Sequence, residues 1–184
     1  MKRTTFLTLA TLASAAAALA IDHAAAAEKS EAAAKVAQLP FPIGELTCAG
    51  KTLAMEGHPG HATTATARVE KVLGGNWIVI RYDEAQTDAN PHPYGVVQYI
   101  GYEDAGKRFV SVVADVIEGS GYATGVSAGW KNDAMTFDET MSESKHVTNR
   151  DTFTASGDAF THAGSMLGKD GKWVDTDAET CRKR

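Results

Sequence analysis

Four polar side chains fall on strand faces that are otherwise apolar, and these are the positions where the sequence could carry chemistry. They are Arg81 (in phase with Trp77 and Val79), Gln98 (between Val96 and Ile100), Glu139 (in phase with Met135 and Phe137) and His162 (between Phe160 and Gly164). Charged groups persist in a protein interior only when they are paired or used. One interpretation is an internal Arg81–Glu139 ion pair, and a second is that these residues face solvent. A third is an anchor for a polar ligand head group, with Arg81 as the partner for a carboxylate.

Aromatic side chains on neighbouring strands complete a candidate ligand-binding set. The aromatic members are Trp77, Tyr99, Tyr122 and Phe137. In the segment 122–130, one face carries only Ala123, Gly125, Ser127 and Gly129. A strand with a bare face indicates tight curvature or the close approach of another group. The set therefore describes a possible interior that something could enter.

Other kinds of chemistry have weaker support. His58, His61 and His92 could hold zinc from one rim, but loop histidines at this density are more often solvated. We therefore expect no metal site. The sequence contains no G-x-S-x-G, H-E-x-x-H or P-loop motif. We predict no catalytic residues and no cofactor, and the sequence favours a protein that is not an enzyme.

The elements that must position these residues are short strands separated by Gly, Asp and Asn turns. Ten are predicted, over residues 45–55, 62–73, 76–83, 94–103, 108–116, 122–130, 134–142, 146–154, 159–167 and 173–181. Regular spacing and hairpin-type links favour an all-β fold, an antiparallel up-and-down barrel that is lipocalin-like, over a sandwich. No long helix is available for a parallel crossover. Residues 28–38 could form a short helix or a lead-in that ends at Pro40.

The first residues have the layout of a secretory signal peptide. Lys2 and Arg3 precede an apolar run over residues 6–20, and small residues lead to the charged Glu28. We place cleavage after Ala27, with Ala20 as the second choice. The run is too short to span a bilayer, so we do not expect an integral membrane protein. The predicted organisation is a signal peptide (1–27), a lead-in (28–42) and one β-barrel domain (43–184), periplasmic or secreted.

The net charge limits the class of partner that we expect, and the cysteine content bears on the cellular compartment. The formal net charge is −5, which argues against nucleic acid because that partner requires a basic face. The two cysteines, Cys48 and Cys181, are most simply a disulfide in an exported protein, and it would join the first strand to the last. Two free thiols are the alternative. Neither has a second Cys or a His at metal-ligand spacing.

The segment 108–116 is apolar on both faces, which raises the question of what covers its outside. Val110, Val112 and Ala114 alternate with Phe109 and Val113. The N-terminal helix or a second subunit could provide the cover. A homodimer is therefore possible.

Three stretches in the middle of the chain resemble a known group of proteins. They are Leu73-Gly-Gly-Asn-Trp77, then Tyr99-Ile-Gly-Tyr102-Glu-Asp104, then Lys107-Arg-Phe109-Val110 with Asp115 downstream. The order is similar to that of uncharacterised bacterial domain-of-unknown-function families with lipocalin-like (calycin-type) barrels, although Asp104 is displaced by one position. The resemblance implies the fold rather than an activity. More distantly, the chain resembles haem-binding barrels of the nitrobindin type, whose late His ligand could only be His162 here.

These observations converge on a ligand-binding hypothesis. Barrels of about eight or more strands can hold one small molecule. We predict that the exported barrel binds a small apolar or amphipathic ligand inside. The alternatives are a structural or interaction protein with a filled barrel, and a haem- or metal-binding barrel.

Overall fold

The computed structural model describes residues 30–54, 59–116, 121–142, 144 and 146–184. The predicted signal peptide and His58 lie outside the described residues. The elements are α1 (Glu31–Val36), β1 (Gly44–Thr52), β2 (Ala62–Val72), a 3₁₀ turn (Leu73–Gly75), β3 (Trp77–Glu84), β4 (Gly95–Glu103), β5 (Arg108–Asp115), β6 (Tyr122–Ser127), β7 (Ala134–Met141), β8 (Asn149–Ser156), β9 (Ala159–Leu167) and β10 (Trp173–Lys183). Among these residues, no helix has the length and apolar character needed to cross a bilayer.

The ten strands form a closed antiparallel barrel, which confirms the predicted fold class. Each strand pairs with its neighbours along the chain, and β1 pairs with β10 to close the sheet. The hairpin turns contain non-glycine residues with positive φ, among them Lys107 (51°) and Asn132 (52°). Such turns match the twist of the strands they join. The links that contain these two residues are short, whereas β3 and β4 are joined by the longer segment 85–94.

Several strand boundaries differ from the prediction by one to three residues, and two of the larger differences have a local cause. β6 ends at Ser127 rather than at residue 130, because the Ser127 hydroxyl accepts a hydrogen bond from the Gly129 amide at 3.1 Å and Gly129 has φ +106°. This local turn removes the chain from the ladder. β8 begins at Asn149 rather than at residue 146. The hydroxyl of Ser144 accepts from the His146 amide at 3.1 Å, so a turn occupies that position.

Helix α1 covers one end of the barrel, which we call the lower end. The Ser30 hydroxyl caps the helix by accepting from the Ala33 amide at 3.1 Å, as N-cap serines do, and it also donates to Asn76. Lys107 donates to Glu31 at 2.9 Å. These contacts tie α1 to the hairpin turns at that end.

The lower half of the interior is a packed apolar core. Val36 and Leu39 enter it from the N-terminal segment. Phe41 follows them and makes edge-to-face contacts with Trp130, Phe153 and Phe160, at centroid distances of 5.9, 5.3 and 5.7 Å. Edge-to-face geometry is favourable for aromatic pairs. The fully buried residues of this core include Leu46, Ile78, Ile100, Met135, Phe137 and Phe153.

The disulfide prediction is confirmed. Cys48 on β1 and Cys181 on β10 are directly opposite in the ladder, and their sulfur atoms are bonded at 1.95 Å. Both residues are buried in the apolar core, with exposures of 4% and 1%. The bond therefore crosses the seam at which the first and last strands close the barrel.

The outer face of β5 and its neighbours is apolar, and α1 does not cover it. Val112 lies beside Tyr99 on β4, and Val110 lies beside Val126 on β6. Val112, Tyr99 and Val126 are all exposed. Because α1 contacts β3, β4 and the 3₁₀ turn at the lower end, cover by the N-terminal helix was the wrong expectation. A homodimer stays a prediction.

We expect loss of the disulfide to destabilise the protein strongly. The bond closes a loop of 133 residues, and chain-entropy arguments give up to about 5 kcal/mol for a loop of that size. A Cys48→Ala/Cys181→Ala double variant should unfold at a much lower urea concentration than the oxidised wild type. Because the sulfurs are buried, reductant should reach the bond only after unfolding. A double variant with an unchanged midpoint would contradict this prediction.

Candidate functional site

The upper half of the interior contains one imidazole surrounded by carboxylates. His162 on β9 places Nε2 3.2 Å from Asp151 Oδ1. Its Nδ1 lies 3.1 Å from Asp177 Oδ1 and 3.3 Å from Glu179 Oε2. Asp151 comes from β8, and Asp177 and Glu179 come from β10, the two strands that flank β9. Both ring nitrogens therefore face acceptors.

A fourth carboxylate, Glu139 on β7, lies deeper in the same region. Its Oε1 accepts a hydrogen bond from the Ser111 hydroxyl at 3.0 Å. Gln98 Nε2 lies 3.5 Å from Asp151 Oδ2. Glu139 interacts electrostatically with both Asp151 and His162. We refer to His162, Glu139, Asp151, Asp177 and Glu179 together as the acidic cluster.

Glycines directly across the ladder make room for these carboxylates. Gly125 pairs with Glu139, Gly50 pairs with Glu179, and Gly164 pairs with both Asp151 and Asp177. A Cβ on Gly125 would lie 2.4 Å from Ser111 Oγ, and one on Gly164 would lie 2.3 Å from Asp177 Oδ2. Glycine permits such close approach because it has no side chain. The bare face predicted around Gly125 thus accommodates a buried acid.

The electrostatics of the acidic cluster favour bound protons at His162, Glu139 and Glu179. Burial would also raise the pKa of Asp177, but the hydrogen bond to His162 and the charge of His162 outweigh it and lower that pKa. Burial alone would lower the pKa of His162, but the charge of Asp151 and the hydrogen bonds to Asp151, Asp177 and Glu179 outweigh it and hold that pKa well above its usual value. Burial, together with the charge of Asp151, raises the pKa of Glu139 to about 8. Burial also raises the pKa of Glu179, with a further contribution from Asp177. The site thus holds a cationic imidazole and a neutral Glu139 near neutral pH.

Two tyrosines lie close to the acidic cluster, in the upper part of the interior that we call the acidic chamber. Burial raises the pKa of Tyr94, and the charges of Asp115, Asp151, Asp177 and Glu139 raise it further. Burial likewise raises the pKa of Tyr82, with contributions from Glu179 and Glu84. Their rings lie 6.3 Å apart. Both phenols remain neutral and offer hydroxyl donors to the chamber.

The negative charge of the chamber is not balanced by lysine or arginine within the part of the chain that the structure describes. Each of these residues is exposed, apart from Lys35, which lies over the Tyr102 ring, and Arg150, which pairs with Asp138. Solvent does reach the cluster. The side chains of His162, Asp177 and Asp151 retain exposures of 25%, 24% and 19%. The chamber is therefore anionic and in contact with solvent.

The predicted site residues divide between the two faces of the barrel. Gln98, Glu139 and Phe137 are buried inside, and His162 faces the acidic chamber. The other four lie outside, and a ligand role in the interior was the wrong expectation for them: Arg81, Trp77, Tyr99 and Tyr122.

The sequence pattern wrongly placed Arg81 in the interior, because its strand has apolar residues on both faces. Ile78 and Ile80 are buried and face the core, so the alternation turns Arg81 to solvent, where it lies opposite Arg68. The outward Trp77 ring instead covers Gly101, whose Cβ would lie 2.7 Å from it. The proposed Arg81–Glu139 ion pair is therefore wrong.

Sequence reasoning missed Asp151, Asp177, Glu179 and Tyr94. Strand alternation carried a signal for each of them. Glu179 and Asp177 are in phase with the buried Cys181, and Asp151 is in phase with Phe153. Tyr94 begins the predicted strand 94–103 in phase with Gln98, although the observed β4 begins one residue later, at Gly95.

Of the histidines considered for zinc, His61 and His92 belong to no group of three or more possible metal ligands among the described residues. His61 is held at the upper end, with Nδ1 3.0 Å from Thr52 Oγ1 and Nε2 3.4 Å from Glu84 Oε1. Glu84 also accepts from Asn90 at 2.6 Å. His92 is exposed, and His58 lies outside the described residues. These contacts join two loops above the chamber.

Two grooves lie on the outside of the barrel rather than in the chamber. One has a volume of about 470 Å³ and is lined by residues that include Glu45 and Arg68. The other has about 230 Å³ and is lined by residues that include Thr154 and Arg182. Neither groove includes a member of the acidic cluster.

Comparison with known proteins assigns the chain to a family. Residues 34–182 match the model described as "Protein of unknown function (DUF1579)". The chain belongs to this family. The predicted membership of an uncharacterised family is thereby confirmed, whereas the bacterial and lipocalin-like parts of that prediction stay predictions. No curated protein matches the chain.

A solved structure shares the fold. It is the crystal structure of Rv2717c from M. tuberculosis, with 10% sequence identity and a TM-score of 0.59. The match covers 78% of this chain and 92% of that chain. At this identity the similarity concerns the barrel alone.

The surroundings of His162 do not fit a haem. An axial histidine needs a free ring nitrogen facing an apolar slot for the macrocycle. Here carboxylates contact both ring nitrogens, and the apolar half of the interior is filled by side chains such as Phe137 and Phe153. The chemistry of these donors suits small cations instead.

We expect Gly125→Ala to destabilise the protein by about 1–3 kcal/mol, the usual range for overpacking. The added Cβ would meet Ser111 Oγ at 2.4 Å and Glu139 Cγ at 3.0 Å, and so would break their hydrogen bond. Gly95→Ala is the control, because its nearest heavy atoms lie at 3.6 Å. Urea denaturation measures both. Equal stability of the two variants would contradict a packed role for Gly125.

Glu139 makes the stability of the protein pH-dependent. Folding raises its pKa from 4.5 to about 8, so the folded state keeps a proton that the unfolded state releases. The free energy of unfolding should therefore fall as the pH rises through this window, by up to about 1.4 kcal/mol per pH unit for one group. The raised pKa of His162 adds a loss of the same sign above its ordinary value of 6.5.

Glu139→Gln should reduce the slope of this dependence between about pH 5 and pH 6.5, where His162 keeps its proton in both states and the raised pKa of Glu179 still contributes a slope of the same sign. Urea denaturation across this interval gives the slope. Glu45→Gln, on the exposed outer face, should keep the wild-type slope. A Glu139→Gln slope as steep as that of the wild type would refute the assignment.

Proposed function

We propose that this protein is a non-catalytic binding protein that captures a small cation in the acidic chamber. The observation that supports it most is the composition of the acidic cluster. Four carboxylates face a single imidazole, with no lysine or arginine among the described residues of the chamber. A buried excess of negative charge is costly unless protons or another cation balance it.

The arrangement supports a cation better than the apolar ligand expected from the sequence. The lower half of the barrel is filled by the apolar core, with Phe137 and Met135 at 0% exposure. The solvent-reached part of the interior is instead lined by Asp151, Asp177 and His162. An apolar ligand would desolvate these groups without pairing them. An ammonium group or a metal ion would be paired.

Export is part of the proposal. The signal-peptide pattern in residues 1–27 directs the chain to the periplasm or the exterior. The Cys48–Cys181 disulfide is compatible with an oxidising compartment. In such a compartment the protein would meet the cations of the surrounding medium.

Ligand-induced stabilisation of the mature protein tests the proposal. Methylammonium, putrescine and several divalent metal chlorides would be compared with sodium acetate and laurate in thermal unfolding. A ligand that binds only the folded state raises its stability in proportion to occupancy. We expect at least one cation to raise the unfolding temperature and both anions to leave it unchanged. Stabilisation by laurate alone, or by no cation, would refute the proposal.

Matched charge variants locate the effect. Asp177→Asn removes one charge from the chamber, and Asp138→Asn removes one from the outer face, where Asp138 pairs with Arg150. The first should weaken cation binding at least tenfold, and the second should leave it unchanged. Equal weakening by both would indicate attraction by net charge, not binding in the chamber.

A further inference from the structure

We infer that the acidic cluster contains a site for one divalent transition-metal ion of the zinc type, with His162, Asp177 and Glu179 as its protein ligands. The inference rests on the proposed function and specifies its cation. One atom from each of these residues lies within 4.8 Å of the others. Imidazole and carboxylate are both ordinary zinc ligands.

The two distances from His162 Nδ1 to the carboxylate oxygens match the edges of a coordination tetrahedron, and the two oxygens lie within 4.8 Å of each other. With metal–ligand bonds of about 2.0–2.1 Å, the edges of a tetrahedron are about 3.3–3.4 Å long. His162 Nδ1 lies 3.1 Å from Asp177 Oδ1 and 3.3 Å from Glu179 Oε2. A metal ion could therefore replace the proton at Nδ1 with only small movements of the three side chains.

Asp151 would not bind the metal ion itself but would position the His162 ring through the other ring nitrogen. Histidines that bind metals usually donate their other ring N–H to a carboxylate, which fixes the tautomer and the ring orientation. Asp151 Oδ1 lies 3.2 Å from His162 Nε2, on the opposite side of the ring from Asp177 and Glu179. Gln98 in turn approaches the other oxygen of Asp151. The ring is also packed on Phe153, with centroids 5.2 Å apart.

A buried hydroxyl on the strand next to β1, on the same row as Glu179, gives an independent indication of a missing partner. Thr63 is 3% exposed, and its Oγ1 makes no hydrogen bond of regular geometry to the described residues, although it lies near the Tyr82 hydroxyl. Thr63 pairs with Gly50, and the Glu179 side chain lies over Gly50. A metal-bound water in the open coordination position would supply a partner for such a group.

The inference is tested by measuring zinc and cobalt binding to the mature protein. The protein is first purified with a chelator to remove metal ions, and the chelator is then removed by dialysis. Isothermal titration with zinc chloride should show one ion bound per chain. Cobalt chloride should give the intense visible absorption of a four-coordinate ion, which hexa-aqua cobalt lacks. A cobalt spectrum like that of the aqueous ion would overturn the inference even if zinc bound elsewhere.

Variants assign the ligands. His162→Gln should weaken zinc binding at least 100-fold and abolish the cobalt absorption. His61→Gln is the matched control, since His61 contacts Thr52 and Glu84 rather than the cluster, and it should change neither readout. Asp151→Asn should weaken binding about 10–100-fold while the cobalt spectrum keeps its four-coordinate form. Zinc affinity unaffected by His162→Gln would overturn the inference.

The wild-type measurements remain decisive if a chamber variant fails to fold, because the cobalt absorption at one equivalent is measured without any substitution.

The outcomes also separate the proposed function from the metal inference. If methylammonium or putrescine stabilises the protein through Asp177 while zinc and cobalt do not bind, the metal inference fails and the proposed function stands. If neither organic nor metal cations bind, both fail.

Discussion

The His162 imidazole contacts three carboxylates inside the barrel, and much of the rest of the structure depends on accommodating these charged groups. Charges inside a protein require either pairing or a bound cation, and long side chains require space. Glycines supply that space: each of the four carboxylates has Gly50, Gly125 or Gly164 directly across the ladder. The acidic cluster is thus built into the register of the sheet.

The remainder of the barrel offsets the unfavourable free energy of burying these charged groups. The lower half buries the large apolar residues, and α1 closes its end with Val36 and Leu39 in the same core. The Cys48–Cys181 bond joins the two strands at the seam, one of which also carries Glu179 and Asp177. A packed, covalently closed lower half can hold an upper half whose side chains repel one another. Under the proposed function, the lower half contributes stability and the upper half contributes the binding site.

Most of the fold could be predicted from local pattern, because alternation and turn residues specify hairpins one at a time. The same alternation placed Glu139 and His162 inside. It failed at Arg81, since Ile78 and Ile80 alternate with Trp77 and Val79 and both faces of β3 look buried. It also did not reveal that β8, β9 and β10 bring Asp151, His162 and Asp177 together, because that contact depends on strand register and on the β10 irregularity between Asp175 and Asp177. Local pattern indicates which face a residue occupies but not the height at which neighbouring strands meet.

The central claim is that His162, Asp177 and Glu179 can bind one metal ion at a defined position inside the acidic cluster. A crystal structure of the zinc-loaded protein, with anomalous diffraction recorded at the zinc absorption edge, tests it most directly. The account predicts one anomalous peak inside the barrel, about 2.0–2.1 Å from His162 Nδ1 and bonded to Asp177 and Glu179, with Asp151 still in contact with Nε2. Anomalous peaks confined to the outer surface, with His162 still bridging the three carboxylates, would contradict it.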